Sequence, residues 1–170
     1  MNMKIKELNK ILRTQARELG LCDEWYDGWE KNESIEELLE KYLKGIDFCI
    51  KHDYPNIDFV RAHFPKEELR KKGIFLDDNV DGKNISKAVL LGDSTGVILY
   101  NGFASCDLYL RHQSEMVVLA TDSSKVFIET YENCKLNVIA DKFSKVFIYD
   151  HGGDITYQGN VIVRNKKAGT

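Results

Sequence analysis

Four histidines, most of them close to a carboxylate in the chain, are the residues of this sequence best suited to acid–base chemistry. His52 precedes Asp53, and His151 follows Asp150. If strands of about ten residues stack into coils, His112 and Asp150 fall in one column of turns and form a candidate proton-handling pair. A stack of polar turn residues explains the same pattern without catalysis. We favour that explanation and assign no catalytic residue.

Sequence motifs supply no alternative active site or metal centre. The chain lacks a nucleophile elbow, a phosphate-binding loop, a dinucleotide-binding glycine loop and a zinc-protease motif. The stretch DHGGD at 150–154 occurs once, whereas calcium-binding repeats require such a pattern to recur. The four cysteines lack metal-ligand spacing and are typical of reduced thiols in the cytoplasm. We therefore favour a cytoplasmic protein without enzymatic activity, cofactor or metal.

Charge and hydropathy argue against two classes of partner. The chain has 24 Lys and Arg against 27 Asp and Glu, and its one basic run is Arg164, Lys166 and Lys167, which we interpret as a solvated tail. Phosphate contacts require a basic face, so no nucleic acid is expected as a partner. No apolar run approaches the roughly 20 residues that cross a bilayer, and the N-terminus has no secretory signal. No membrane partner is expected either.

Residues 1–75 are predicted to form a small helical bundle. Apolar residues recur at helical spacing through residues 3–20, and Gly20 is placed to end that helix. Ser34 and Glu37 have the spacing of a capping box, at the start of a helix that is predicted to run as far as Pro55. Two shorter helices follow and end before Gly73.

Residues 84–165 are predicted to form a strand repeat, followed by a tail at 166–170. Segments of alternating polar and apolar residues recur about every ten residues. An antiparallel meander or barrel explains this spacing, and so does a β-solenoid with about 20 residues per two-strand coil. The pentapeptide SKVFI occurs at 124–128 and again at 144–148. Because stacking favours similarity one coil apart, we favour the solenoid and an α+β fold.

Alternation along these strands assigns side chains to the inside or the outside of the solenoid. The predicted inward residues are Leu108, Leu110, Val117, Leu119, Val126, Ile128, Leu136, Val138, Val146, Ile148, Ile155 and Tyr157. On the outside, one sheet carries Val118, Asn137 and Thr156, and the other carries an aromatic stripe of Tyr109, Phe127 and Phe147. An uncovered ring costs about 1.5–3 kcal/mol. The stripe is therefore expected to be covered by the helical region, by a second copy of the chain, or by a ligand or another protein.

The chain also resembles a group of bacterial and phage proteins. The resemblance is carried by the segments GLCDEW, SIEELLEKYLKGIDFCIKHD and KVFIYDHGGDITYQGNVIVRNKK. It is to uncharacterised proteins of gut Bacteroidales, their mobile elements and their phages, which pair a short helical region with repeated strands of the NAKVYVYDNA kind. This chain departs from their pattern because Asn recurs in few of its turns. The resemblance implies a bacterial or phage protein of the cytoplasm and transfers no catalytic residues, since its motifs are structural.

These observations predict a non-enzymatic protein-interaction module. Its partner would be another protein or a second copy of the chain, and its binding residues would be Tyr109, Phe127 and Phe147. The resemblance adds a setting, in which the protein would be a defence or anti-defence factor or a minor virion component. The alternative is a carbohydrate-binding or carbohydrate-processing protein that stacks sugars on Trp25, Trp29 and the stripe.

Overall fold

The chain folds into two compact units that meet, along the sequence, between Lys72 and Gly73. The structure is a computed structural model that describes residues 3–29 and 32–168. The first unit contains the helices α1 (Ile5–Glu18), α2 (Asp23–Asp27), α3 (Ile35–Lys44), α4 (Ile46–Lys51), α5 (Ile57–His63) and α6 (Lys66–Lys71). The second contains the strands β1 (Ile74–Leu76), β2 (Asn79–Lys83), β3 (Lys87–Leu91), β4 (Thr95–Tyr100), β5 (Ser105–Leu110), β6 (Glu115–Ala120), β7 (Lys125–Thr130), β8 (Lys135–Ala140), β9 (Lys145–Asp150), β10 (Asp154–Gln158) and β11 (Val161–Asn165). The fold is α+β, as predicted, and its first two strands precede residue 84.

Local signals in the sequence set the ends of the helices. Ser34 Oγ accepts a hydrogen bond from the Glu37 amide at 3.2 Å, and the Glu37 carboxylate accepts one from the Ser34 amide at 3.1 Å. This is the predicted capping box of α3. The helix that was expected to continue to Pro55 is instead interrupted at Gly45, which separates α3 from α4. Glycine favours this break because it loses more backbone entropy in a helix than any other residue.

The strand unit is a parallel β-solenoid. Its odd-numbered strands form one sheet in the order β1-β3-β5-β7-β9-β11, and its even-numbered strands form a second in the order β10-β8-β6-β4-β2. Each strand therefore pairs with the strand two positions along the chain, and every pairing is parallel. A meander or barrel would pair consecutive strands in antiparallel fashion, so this topology decides for the solenoid.

The repeated pentapeptide marks two stacked rungs. Phe127 lies directly beside Phe147 in the sheet, and the rest of the two SKVFI segments pairs in the same register. Lys125 pairs with Lys145, so one coil spans 20 residues. The coils are shorter at both ends of the unit, where Ile74 pairs with Val89 and Val146 pairs with Val161.

The ten-residue half-coil keeps the inward and outward faces in phase from strand to strand. From β4 to β9, the even-numbered residues point inward and the odd-numbered residues point outward. The prediction for β6 is therefore wrong, because Val117 and Leu119 face outward and Val118, with 0% exposure, lies in the core. The segment MVVLA is apolar in both phases, so its own alternation is ambiguous and the period of ten decides it.

The inward side chains of the strands form one continuous core. Of the predicted inward residues, those confirmed as buried are Leu108, Leu110, Val126, Ile128, Leu136, Val138, Val146 and Ile148. Ile155 packs against this core, whereas Tyr157 is 51% exposed. Tyr157 belongs to the last coil, where the described strands end, so no further rung covers it.

Candidate interaction surfaces

The predicted aromatic stripe lies on the outer side of the first sheet, but only two of its three rings share a column. Phe127 and Phe147 stack with their centroids 5.2 Å apart and their planes 10° apart. Tyr109 lies beside Glu129 in the next column, because Asp107 is the residue that pairs with Phe127. All three rings are half-buried. The stripe is therefore a stacked pair with a neighbouring tyrosine, and not a row of three.

The stacking also limits what these rings can bind. Phe127 and Phe147 each have one face against the other, so that face cannot receive a sugar ring. The ammonium group of Lys87 lies 5.7 Å from the centroid of Tyr109 and competes for its face. These contacts weaken the case for carbohydrate stacking at this surface.

Trp25 and Trp29 do not form a shared platform. The indole of Trp29 donates a hydrogen bond to Asn9 Oδ1 at 2.8 Å, and Lys41 Nζ lies 5.0 Å from its centroid. Trp25 is 41% exposed and lies next to Gly45. Although Trp25 and Trp29 are four residues apart, α2 ends at Asp27, so Trp29 lies beyond the helix and the two indoles do not share a helical face.

The outer side of the second sheet carries a surface that sequence reasoning missed. Its apolar side chains occupy two adjacent columns on β4, β6 and β8, namely Val97, Leu99, Val117, Leu119 and Ile139. Val97 is 39% exposed and Ile139 is 41% exposed. Polar residues flank the cluster on both neighbouring strands, with Lys83 on β2 and Gln158 on β10. A contiguous exposed apolar patch with a polar rim is typical of a protein-binding surface.

Two phenylalanines lie in the turns that follow β4 and β8, two of the strands that bear this cluster. Phe103 follows β4 and is 91% exposed, and Phe143 follows β8 and is 66% exposed. The intervening turn, after β6, has Ser123 at the equivalent position. We call the five aliphatic residues together with Phe103 and Phe143 the apolar face. The signal for the apolar face in the sequence was a phenylalanine at a turn position. The equivalent position of the intervening turn is a serine, and turns generally carry polar residues.

His112 has a structural role in the turns and does not pair with Asp150. Its Nδ1 atom accepts a hydrogen bond from the Gly92 amide at 3.1 Å, one coil earlier. Its own amide donates to the Glu132 carboxylate at 2.9 Å, one coil later. Asp150 instead pairs with Thr130 in the sheet and lies 3.1 Å from Lys167 Nζ. The predicted proton-handling pair is therefore not formed, whereas the stack of polar turn residues is present.

The same type of contact links the turns on the other edge of the solenoid. The Gly102 amide donates to the Asp122 carboxylate at 2.9 Å, and the Asp122 amide donates to the Asp141 carboxylate at 3.0 Å. Hydrogen bonds from backbone amides, first that of Ser144, lower the pKa of Asp141. Each of these side chains satisfies an amide of the preceding coil, so the turns hold adjacent coils together.

Of the four histidines, His151 has the neighbours that most resemble those of an acid–base residue. Its Nε2 atom lies 3.3 Å from the Glu129 carboxylate, and its ring stacks on Tyr131 with centroids 4.6 Å apart. The hydroxyl of Tyr131 donates to the same carboxylate. This group lies at the outer side of the first sheet, beside Tyr109 and Tyr149, and it orders that surface. We assign no reaction to it.

Two of the buried thiols are held in their protonated form by their surroundings. Burial raises the pKa of Cys106 and of Cys134 to about 11, so both remain protonated at neutral pH. Within residues 3–29 and 32–168, no group of three or more His, Cys, Asp or Glu side chains is arranged to hold a metal ion. In the same described ranges, no helix is long and apolar enough to cross a membrane.

The Arg111–Glu132 pair yields a pH-dependent prediction. Arg111 is buried, and its guanidinium donates to the Glu132 carboxylate. Burial tends to raise the pKa of Glu132, but the hydrogen bonds from Arg111 and the His112 amide, together with the charge of Arg111, lower it on balance. We expect Glu132→Gln to lower the free energy of unfolding by about 1–2 kcal/mol at neutral pH, discounted for the partial exposure of the carboxylate.

The direction of the pH dependence follows from the lowered pKa of Glu132 in the folded chain. A carboxyl group whose pKa is lower in the folded chain stabilises the fold above its unfolded pKa, and this contribution disappears as the pH falls through the folded pKa. The difference between wild type and Glu132→Gln should therefore shrink below about pH 4 in urea denaturation curves. Glu115→Gln is the matched control, because its ion pair with Lys135 is exposed and should contribute far less than the Arg111–Glu132 pair. Equal effects of the two substitutions at neutral pH would contradict the prediction.

Comparisons of the chain with models of protein families, with curated proteins and with solved structures found no match. The class of protein is therefore defined by the structure itself. It is a two-sheet parallel β-solenoid preceded by a helical unit, with an exposed apolar face on the second sheet.

Proposed function

We propose that this chain is a non-enzymatic protein-interaction module that binds a protein partner through the apolar face. The observation that carries the proposal is the exposure of Phe103 and Phe143, in the turns that follow two of the strands that bear the aliphatic residues. Leaving a large apolar side chain in water costs about 1.5–3 kcal/mol relative to burying it. Two such rings at equivalent turn positions, two coils apart, are best explained by a partner that buries both.

The geometry of the apolar face indicates the kind of partner it fits. Successive rungs are about 4.8 Å apart, so Phe103 and Phe143 are separated by roughly 10 Å along the stack. The aliphatic columns between their strands are broad and lack charged side chains. A partner with apolar or aromatic anchors and a polar periphery matches this surface, because such anchors supply most of the energy of protein interfaces.

A site-specific crosslinking experiment tests the proposal. A photo-crosslinking residue at position 123 lies between the two phenylalanines, and the same residue at Asn133 lies in the other column of turns. We expect position 123 to capture a defined partner from a bacterial lysate, and Phe103→Ser/Phe143→Ser to abolish this capture. Serine is a suitable replacement because Ser123 already occupies the equivalent turn position.

The double substitution should leave circular dichroism unchanged, because both rings are exposed. If the proteins captured at position 123 are the same with and without the two phenylalanines, or the same as those captured at Asn133, the apolar face is not the binding surface. Alanine at Phe127 and Phe147 then tests the stripe as the alternative binding surface.

The biological setting remains part of the proposal. The resemblance to Bacteroidales and phage proteins supports a bacterial or phage origin and a defence, anti-defence or virion role. The second candidate function is carbohydrate binding. Of the two tryptophans and the three rings of the stripe, only Trp25 supports it, because its side chain is 41% exposed. A glycan-binding assay with Trp25→Ala tests it, and unchanged binding would remove its last support.

A further inference from the structure

The last coil of the solenoid leaves two strand edges open. Within the described residues, β11 pairs only with β9, and β10 pairs only with β8. The Asp154 amide donates to Cys134 and the Lys166 amide donates to Asp150, so even-numbered residues of β10 and β11 bond to the sheet. Because neighbouring residues of a strand direct their backbone groups to opposite sides, Ile155, Tyr157 and Val163 direct theirs to the open edge.

The side chains at this end are also incompletely covered. Tyr157 is 51% exposed, and Ile155, Val161 and Val163 are half-buried at the end of the core. Unpaired backbone groups beside a partly exposed core form a template for another strand. The end therefore combines unsatisfied hydrogen-bonding groups with apolar surface, which a flat strand-bearing partner can cover together.

We infer that this end binds a second copy of the chain, with β10 of one copy pairing antiparallel with β11 of the other. The two strands of one coil run in opposite directions in the two sheets. A twofold axis that is parallel to the strands and passes between the two copies therefore forms two pairings at once. It places β11 of the first copy beside β10 of the second, and β10 of the first copy beside β11 of the second. Both open edges are then paired, and the core continues from one copy into the next.

The charges of the two strands are complementary in this arrangement. In an antiparallel pair, residues whose backbone groups face the open edge of one strand must lie opposite such residues of the other strand. Two registers meet this condition and pair most of both strands. If Ile155 faces Val163, Asp154 lies opposite Arg164. If Tyr157 faces Val163, Asp154 lies opposite Lys166. In both registers an acidic residue of one copy meets a basic residue of the other, and this occurs twice because of the symmetry.

One further charge beside these strands is already paired within its own copy. Lys167 lies 3.1 Å from the carboxylate of Asp150 in the same copy. The end of a two-sheet solenoid is small, since the sheets are about 10 Å apart and each open strand is five residues long. The dimer is therefore expected to be reversible and dependent on protein concentration, as interfaces at the small end of the range are.

Sedimentation velocity over a range of concentrations tests this pairing. The wild-type chain should show a reversible monomer–dimer equilibrium. Asp154→Arg should raise the dissociation constant about tenfold or more, because it places like charges opposite each other. Adding Arg164→Asp, or in the other register Lys166→Asp, should restore the dimer. Val163→Pro should abolish it, since its amide faces the open edge and its loss leaves the pairing with β9 intact.

Several results would overturn the inference. One is a wild-type chain that stays monomeric at every concentration, and another is a dimer that survives both Val163→Pro and Asp154→Arg. A third is a charge reversal at Asp154 that neither compensating substitution rescues. Phe103→Ser/Phe143→Ser separates this inference from the proposed function, because it should leave the dimer unchanged. A dimer lost in that variant and retained in Val163→Pro would belong to the apolar face.

Discussion

Replacing Gly96 with alanine is expected to destabilise the strand unit by more than about 3 kcal/mol. Gly96 lies in β4 with φ +147°, and a Cβ atom built on it would lie 1.9 Å from the carbonyl oxygen of Val80 in β2. Because the clash is with backbone, no side-chain rotation relieves it, and β2 must move away from β4. Denaturation followed by far-ultraviolet circular dichroism measures the loss, since both tryptophans lie in the helical unit and do not report on the strands.

Gly102→Ala is the matched control for this prediction. Gly102 also has a positive φ, at +61°, but a Cβ atom there would have nothing within 4 Å. Its cost is the left-handed backbone alone, about 1–2 kcal/mol. If the two substitutions destabilise the chain equally, the close approach of β2 to β4 is not the reason that glycine is required at position 96.

Replacing Val118 with asparagine is expected to lower the free energy of unfolding by about 3–5 kcal/mol. Val118 is 0% exposed in the core between the two sheets. The substitution removes buried apolar surface and leaves an amide group without hydrogen-bonding partners, and the two costs add. Urea denaturation measures the change through the midpoint at constant slope.

Val117→Asn is the matched control, one residue away on the same strand. Val117 faces outward and pairs with Asn137, so asparagine already occupies this column one coil later. We expect Val117→Asn to cost less than about 1 kcal/mol. The opposite order, with Val117→Asn the more damaging, would mean that β6 has the opposite phase, with Val117 and Leu119 in the core.

The sequence predicted the solenoid because its signal is repetitive. The two SKVFI segments lie one above the other, and Ser34 and Glu37 form the capping box that their spacing indicates. These features depend on a few neighbouring residues or on one fixed interval. Stacked coils repeat the same environment every 20 residues, so similar residues recur at the same interval.

Surface assignments were predicted less well, because they depend on register between strands that are distant in sequence. Tyr109 was placed in line with Phe127 and Phe147, but its partner in the sheet is Glu129. His112 was paired with Asp150, although its turn contacts are with Gly92 and Glu132. A shift of two residues keeps a side chain on the same face and moves it to another column, so alternation cannot detect the error.

The sequence by itself therefore determined the helical first part, the solenoid that follows it, the coil length and most of the apolar core outside β6, because each follows from periodicity along the chain. Only the tertiary structure decided which residues share the outer surfaces. Phe103 and Phe143 are each unusual as a phenylalanine in a turn, and they become a joint feature because two coils of 20 residues bring their turns into one column. The exposure of a side chain depends on which residues pack around it in space. The sequence predicts those neighbours only where the register between strands is already known.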